Sequence, residues 1–307
     1  STAGAEFFPP GSVAHYKPDG VTAWRYYEIA IRREEMSPPA TRLRMAINQG
    51  TRERRISDVG FCVLLSGGID SSAVAYHLMD HKPIAYFAKG ATGGDEADER
   101  CARDVAAALG LTLRVVPIPA PSTAALREIV HAIEMPHKAQ VEIAWACWWL
   151  AQVMRADGQR VTFSGEGSDE LWASYGSPVS SSTHFGIEKL GWYGYRRKLF
   201  TDQHRKNFAR CNKIFMAHGI ECRLPFLSTQ LVELGLGFTR AEVGTDRSPK
   251  QIMVDAYAGA LPKSVLARKK MTFQEGAGLT ALCASAVADP ARFYRAEFSA
   301  AFPGATP

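Results

Sequence analysis

Apolar and polar positions fall into blocks along the middle of this chain, and the period switches from block to block. Phe61-Cys62-Val63-Leu64-Leu65 is an unbroken apolar run, which predicts a strand over 60–65 buried on both faces. Ser66-Gly67-Gly68 ends it, and Ile69-Asp70-Ser71-Ser72 opens a segment that predicts a helix over 70–80. The alternation then repeats. Ile84–Ala88 reads as a strand, 90–94 as a loop, and Asp95–Leu109 as a helix whose acidic first turn suits the helix dipole. Leu111–Ile118 reads as a strand, Pro121–Ile133 as a helix, Val141–Arg155 as a long apolar helix and Arg160–Phe163 as a strand. Trp145, Trp148 and Trp149 recur at helical spacing, which places them in the core. Strands alternating with helices predict an α/β domain: a parallel twisted sheet with flanking helices.

The strand pattern stops after residue 176. Helices are expected at 184–218, 228–238, 248–259 and 279–298, giving a helical C-terminal half, and Pro178–Thr183 reads as a Ser-rich loop. Residues 1–55 read as an N-terminal extension. It has a turn at Pro18-Asp19-Gly20, a short strand or helix at Thr22–Arg33, a break at Pro38-Pro39, and a helix at Ala40–Arg55. The expected division is therefore 1–55 and 56–307, the latter split into a nucleotide-binding core (56–176) and a helical part (177–307).

Bulk properties narrow the class. With 307 residues, 46% hydrophobic and 22% charged, the chain has the composition of a soluble globular enzyme. A net charge of +5 is too small to mark a nucleic-acid binder. The cluster Arg196-Arg197-Lys198 lies among Trp192, Tyr193, Tyr195 and Phe200 and reads as a solvated amphipathic helix. The six cysteines are scattered without a Cys-x-x-Cys spacing, which suits reduced thiols in a cytoplasmic protein. Ser1-Thr2-Ala3-Gly4 does not resemble a signal peptide, and no apolar run reaches the ~18 residues of a membrane span.

The chemistry is concentrated in two loops. A strand, a glycine turn and a helix start make an anion site, because glycines let backbone approach a phosphate and unpaired N–H groups point at it. Ser66, Ser71 and Ser72 add hydroxyls. Asp70 beside a phosphate requires a cation between them, and Mg²⁺ bound through a carboxylate and phosphate oxygens supplies one. A lone Ser-Gly-Gly would be an ordinary helix cap, but the strand before it and the Asp-Ser-Ser after it favour a phosphate loop. The second loop, Ser164-Gly165-Glu166-Gly167-Ser168-Asp169-Glu170, also follows a strand. Its three carboxylates are costly together unless they meet metal, base or solvent.

The Ser-Gly-Gly-x-Asp-Ser-Ser pattern resembles the pyrophosphate loop of ATP pyrophosphatases. Together with Phe163–Leu171 it resembles the synthetase domain of class B asparagine synthetases and their β-lactam synthetase relatives. Phe8-Pro9-Pro10-Gly11, Arg210–Leu227 and Arg268–Gly278 match further family segments in the right order. The resemblance implies the adenine-nucleotide alpha-hydrolase-like fold and an ATP-dependent ligase that adenylates a carboxylate and passes the acyl group to an amine. Ser66, Gly67, Gly68, Asp70, Ser71 and Ser72 would then hold pyrophosphate. Leu65, Ser164 and Gly165 would line the adenosine, and Asp70 and Asp169 would bind Mg²⁺. Glu166 matches the catalytic glutamate, and Lys270 the lysine at the α-phosphate. Glu142 and Tyr175 are assigned to the substrate side. Glu221 and Arg223 sit where the family has a buried pair.

Departures from the family pattern shape the expectations further. No glutaminase domain is recognisable in the 65 residues before Ser66, so ammonia is expected to be free or supplied by a separate glutaminase subunit, unless another amine is used. Ala139-Gln140-Val141-Glu142 falls where aspartate-using relatives carry Thr-Thr-Ile-Arg, so aspartate is not the expected acyl substrate; Glu142 is either the partner of a cationic substrate group or an exposed helix residue. β-Lactam synthetases use a tyrosine upstream of the catalytic glutamate, and none occurs between Phe87 and Ser174. That disfavours intramolecular cyclisation, with His131 and His137 left as alternative bases.

Overall fold

The computed structural model describes residues 8–33, 37–90, 96–175, 181–245, 247–248, 250–268 and 278–305. Among them, a hairpin of β1 (Ser12–Lys17) and β2 (Gly20–Arg25) precedes a sheet of β3 (Phe61–Leu64), β4 (Ala85–Gly90), β5 (Leu113–Ile118), β6 (Val161–Phe163) and β7 (Glu221–Arg223). The sheet order is β5-β4-β3-β6-β7, with every pairing parallel. In chain order the helices are α1 (Pro39–Glu53), α2 (Ile69–Tyr76), α3 (Glu96–Leu109), α4 (Thr123–Ile133), α5 (Lys138–Ala156), α6 (Ser168–Trp172) and α7 (Ser181–Asp202). They continue with α8 (Asn207–Met216), α9 (Thr229–Gly237), α10 (Arg240–Val243), α11 (Gln251–Tyr257), α12 (Lys263–Leu266), α13 (Leu279–Ala286) and α14 (Pro290–Ala301). No described helix is long and apolar enough to cross a membrane.

The period-two pleat explains why apolar runs were needed. Val63, Leu65, Ala85 and Phe87 enter a core with residues of α1, α2, α3, α9 and α11. Cys62, Tyr86 and Ala88 enter another with α4, α5, α8, α13 and α14. Successive side chains of a strand point to opposite faces, so a sheet covered by helices on both sides must be apolar at every position. Trp145 is in this second core and donates its indole N–H to Pro119 O at 2.8 Å.

Topology places the site. From β3 the chain moves outward to β4 and β5, then returns through α4 and α5 to β6 on the other side of β3. β3 and β6 are therefore neighbours whose onward connections diverge. A crevice opens beyond their C-terminal ends, the position where open α/β sheets bind ligands.

The structure departs from the sequence reading in several places. Thr22–Arg33 is not one element: Gly20–Arg25 pairs with Ser12–Lys17 across a two-residue turn at Pro18-Asp19. β7 is a fifth sheet strand of only three residues, too short to carry a period. Residues 184–218 are not one helix: Gly191 (φ +71°, ψ 168°) breaks α7 in two, and a 3-10 turn at Gln203–Arg205 separates α7 from α8. The helix expected at 279–298 is also two: Pro290 starts α14, with the Asp289 side chain accepting from Arg292 N at 3.0 Å. Arg196 is buried rather than solvated. Its guanidinium donates to Leu171 O (2.6 Å), Phe238 O (2.8 Å) and Gly235 O, tying α7 to α6 and α9. Burial lowers its pKa to about 9, and the carbonyl oxygens stand in for lost water.

Candidate active site

The register Val63↔Phe163 brings the ends of β3 and β6 side by side, so the two chemistry-bearing loops leave the sheet together. The first loop is closed by its own serines. Ser66 N donates to Ser71 Oγ (3.1 Å), while Ser71 Oγ and Ser72 Oγ donate to Gly68 O (3.0 and 2.8 Å). Gly67 has φ +75°, and a Cβ there would stand 2.3 Å from Asp98 O, so only glycine fits. Helix α2 begins at Gly68 without a side-chain cap, which leaves its first N–H groups for a ligand. Ser66 is exposed at the mouth, whereas Leu65 is buried beneath it.

The loops touch. A Cβ on Gly165 would lie 2.7 Å from Ser71 N and 2.8 Å from Asp70 C, so the second loop rests on the start of α2. Ser168 Oγ donates to Asp70 Oδ1 at 2.7 Å and accepts from Trp172 Nε1 at 2.8 Å. Ser164 lends its hydroxyl to Glu166 N at 3.2 Å. The Ser168 bond fixes the direction of the Asp70 carboxylate, and the Ser164 bond braces the backbone of the second loop.

A residue with no assigned role in the sequence sits at the centre. Lys250, 7% exposed, reaches between the loops; its Nζ lies 2.6 Å from Asp169 Oδ1 and also bonds Asp70 Oδ2. Burial works against the charge on Lys250, but Asp169 and Asp70 outweigh it and raise the lysine above its ordinary value. The ammonium thus marks a position where two carboxylates require positive charge. Two carboxylates, exposed Ser66 and an uncapped helix start are a donor set that Mg²⁺ and phosphate oxygens would complete. No cluster of three or more His, Cys, Asp or Glu side chains able to hold a metal occurs among the described residues, so the remaining metal ligands would be phosphate and water.

Glu166 stands behind this pair. Burial, with Asp169 and Asp70 adding to it, raises its pKa, and the guanidinium of Arg210 opposes the rise. Arg210 is 3% exposed, and its Nη2 lies 3.4 Å from both Glu166 carboxylate oxygens. Its Nη1 donates to Gln140 Oε1 (2.5 Å) and Asn207 Oδ1 (3.1 Å), and Gln140 Nε2 donates to Asn207 Oδ1 (2.9 Å). From Asn207 the network runs on to Tyr175, whose hydroxyl accepts from Asn207 Nδ2 (2.8 Å) and donates to Glu170 Oε1 (2.6 Å). Burial, together with the charge of Glu166, pushes Glu170 up to about 7. Tyr175 is raised as well, first by burial and then by Glu170.

Other candidates lie elsewhere. Glu142 is 0% exposed, which corrects its reading as an exposed helix residue; its Oε2 accepts from Thr280 Oγ1 at 2.9 Å, across to α13. Gln140, two residues away, is the α5 residue that reaches the Arg210–Glu166 pair. His131 packs on the Phe302 ring (6.3 Å between centroids), and His137 is the exposed residue before α5. Arg223 holds Glu221 with both ends of its guanidinium (2.8 and 3.0 Å), but Glu221 is exposed, so the pair is not a buried one. Lys270 lies outside the described residues, as do 178–180 of the expected Ser-rich loop, whereas 181–183 belong to α7.

Lys250 and Gln140 escaped the sequence reading. Lys250 is 180 residues from Asp70, and nothing in its neighbourhood marks a phosphate or metal site. Arg210 stood within a family-like segment, which was the only available signal for it.

A family model described as asparagine synthase matches residues 42–199 and 194–292. The glutamine-hydrolysing asparagine synthetase of Triphysaria versicolor is 28% identical over 296 residues, covering 89% of this chain and 49% of that protein. The glutamine-hydrolysing asparagine synthetase B of Escherichia coli K12 is 28% identical over 258 residues, covering 77% of this chain and 45% of that protein. The chain spans about half the length of the curated relatives it matches. With its sheet order and paired loops, the chain belongs to the asparagine synthase family.

Proposed function

We propose that this chain is the synthetase part of an ATP-dependent amide-forming ligase. The observation that carries the reading is the meeting of the two loops at the β3–β6 crevice, with Asp70 and Asp169 sharing one cation. ATP is a substrate in this reading. Leu65, Ser164 and Gly165 face its adenosine, while Ser66, Gly67, Gly68, Ser71 and Ser72 hold its β- and γ-phosphates. Mg²⁺, when bound by Asp70 and Asp169, would neutralise charge on the leaving pyrophosphate.

A carboxylate oxygen of the acyl substrate attacks the α-phosphorus, the bond to the β-phosphate oxygen breaks, and pyrophosphate leaves. Lys250, and Lys270 in the family role, offset the charge that develops on the phosphates. The amine nitrogen then attacks the acyl carbon of the adenylate, AMP leaves, and Glu166 accepts the proton lost from nitrogen. Arg210 holds the Glu166 carboxylate in place. The small-molecule acid is not aspartate in this proposal, because Gln140 and the buried Glu142 lie where the aspartate-using relatives place Thr-Thr-Ile-Arg.

The test is ATP–pyrophosphate exchange across a panel of carboxylic acids that includes aspartate, without amine. Exchange dependent on one acid, and lost in Lys250→Ala and Lys270→Ala, is the expected result. Tight Mg-ATP binding with no exchange for any acid, even after an amine is added, would overturn adenylation.

A second reading concerns the source of the amine, and the hairpin favours it. Tyr16 (74% exposed), Trp24, Val21 and Tyr26 present apolar surface on a two-stranded hairpin exposed on both faces. Such a hairpin is marginal alone in water, and an apolar patch of this kind marks a contact. A glutamine-hydrolysing module seated there would supply ammonia, in line with the names of the relatives. Amidation that responds to ammonium salts but to glutamine only when that module is added would support this; equal response to glutamine without it would refute it.

A further inference from the structure

Behind Glu166 lies a group of thiols that the proposed reaction does not use. Cys211, on α8, donates to Cys222 Sγ on β7 at 3.3 Å, and none of the six cysteines is in a disulfide. Cys211 is buried, whereas Cys222 lines an open cavity of about 580 Å³ together with Arg54, Phe208, Asn212, Arg223 and Leu224. Of the two cysteines, Cys222 is the one on the wall of that cavity.

Each cysteine is next in sequence to a residue that holds the Glu166 loop. Arg210 precedes Cys211 and keeps its Nη2 3.4 Å from both Glu166 oxygens. Arg223 follows Cys222, and its carbonyl oxygen accepts from Ser164 N at 3.0 Å. We infer that Cys211 and Cys222 form an oxidation site: a disulfide between them would draw α8 toward β7 and unseat Arg210 from Glu166. The sulfurs must close from 3.3 Å to the ~2.05 Å of a disulfide. That movement, on the order of 1 Å, exceeds what a close-packed interior absorbs without shifting its neighbours.

The reacting oxidant is a diazene or a low-molecular-weight disulfide. With the diazene diamide, the Cys222 sulfur adds to the N=N bond. The Cys211 sulfur then attacks Cys222 Sγ, the S–N bond breaks, and a hydrazine leaves carrying two electrons and the two thiol protons. Contact with Cys211 and burial hold the Cys222 thiol well above its ordinary value, so little thiolate is present and attack on the oxidant is slow, which sets the reaction time and not the product. Cys147, whose thiol shares the electrostatic surroundings of Arg210, Cys211 and Glu166, is the competing thiol that the experiment must distinguish.

The chain is treated with diamide at pH 8.5, its remaining thiols are alkylated in denaturant, and the digest is read by mass spectrometry. A linked peptide pair joining Cys211 to Cys222 and lacking two hydrogens is expected. It should be absent in Cys211→Ala and Cys222→Ala, present in Cys147→Ala, and reversed by dithiothreitol. Amide hydrogen exchange at residues 165–167 should become ~10-fold faster in the oxidised protein and remain unchanged in the two alanine variants. Separate alkylation of both thiols, or a Cys147 link instead, overturns the site. A Cys211–Cys222 link with unchanged exchange at 165–167 overturns its control of Glu166. None of these readouts depends on ligase activity, so failure of the ligase reading would leave them standing.

Discussion

The ammonium of Lys250 lies 2.6 Å from Asp169 Oδ1 and bonds Asp70 as well, so one buried cation joins the loop after β3 to the loop after β6. The cost of placing two acidic side chains at one crevice is offset by a third residue from a distant segment. In the proposed reaction a Mg²⁺ held by Asp70 and Asp169 would take over the charge balance that Lys250 supplies here.

Lys250→Met leaves both carboxylates without their shared cation. Breaking a buried pair from one side typically costs ~3–5 kcal/mol, so the variant melts well below the parent. Mg²⁺ should then raise Tm more in Lys250→Met than in the parent protein, because the metal replaces the missing charge. Thermal melts with and without MgCl₂ check this; equal Mg²⁺ responses would contradict it.

Gly165→Ala forces a Cβ to within 2.7 Å of Ser71 N, and the nearby backbone must move. Overpacking of this kind costs ~1–3 kcal/mol. We expect Mg-ATP affinity, measured by calorimetry, to fall at least ~10-fold, equivalent to ~1.4 kcal/mol, because the two loops no longer meet.

Arg210 opposes the upward push on Glu166 that burial and the neighbouring aspartates exert. Removing it raises the Glu166 pKa further. If Glu166 accepts the proton from the amine, the acidic limb of the acyl-transfer rate moves to higher pH in Arg210→Ala and lies between in Arg210→Lys. A uniform loss of rate with an unmoved limb would assign Arg210 a packing role only.

His77 supplies a pH-dependent stability term away from the site. Burial first, then Arg44 and Arg55, lower its pKa to about 4, and its Nε2 lies 2.8 Å from Tyr257 Oη. The unfolded chain binds a proton near pH 6.5, which the native state takes up only near 4. The contribution is therefore complete above pH 6.5 and lost as pH falls toward 4, with a ceiling of ~3 kcal/mol. Urea midpoints should fall less steeply between pH 6.5 and 4 in His77→Gln than in the parent.

Tyr16→Ser and Trp24→Ser remove exposed surface and should change stability by no more than ~0.5 kcal/mol. They should nevertheless weaken binding of a glutamine-hydrolysing module, measured by sedimentation.

Much of this protein is legible from local pattern. The apolar run Phe61–Leu65 predicts a doubly covered strand because burial on both faces leaves no polar position to spare. Ser66–Ser72 and Ser164–Glu170 announce loops because glycines and helix-opening polar residues act within a few positions of one another. Strand–helix alternation is likewise enough for a parallel α/β sheet. Other features depend on residues far apart in sequence. The three-residue β7 exists only because β6 offers it a ladder, and the β1–β2 pairing is a register that short mixed segments leave undetermined. Lys250 acquires its place from two carboxylates, one of them 180 residues away, and Arg210 becomes the partner of Glu166 only where α8 packs on α5. Glu142 faces α13 while Gln140 reaches the Arg210 network, a difference set by the rotation of α5 in its packing. Charge pairing and helix orientation act through space at a few ångströms, and chain order carries no direct record of which residues share that space.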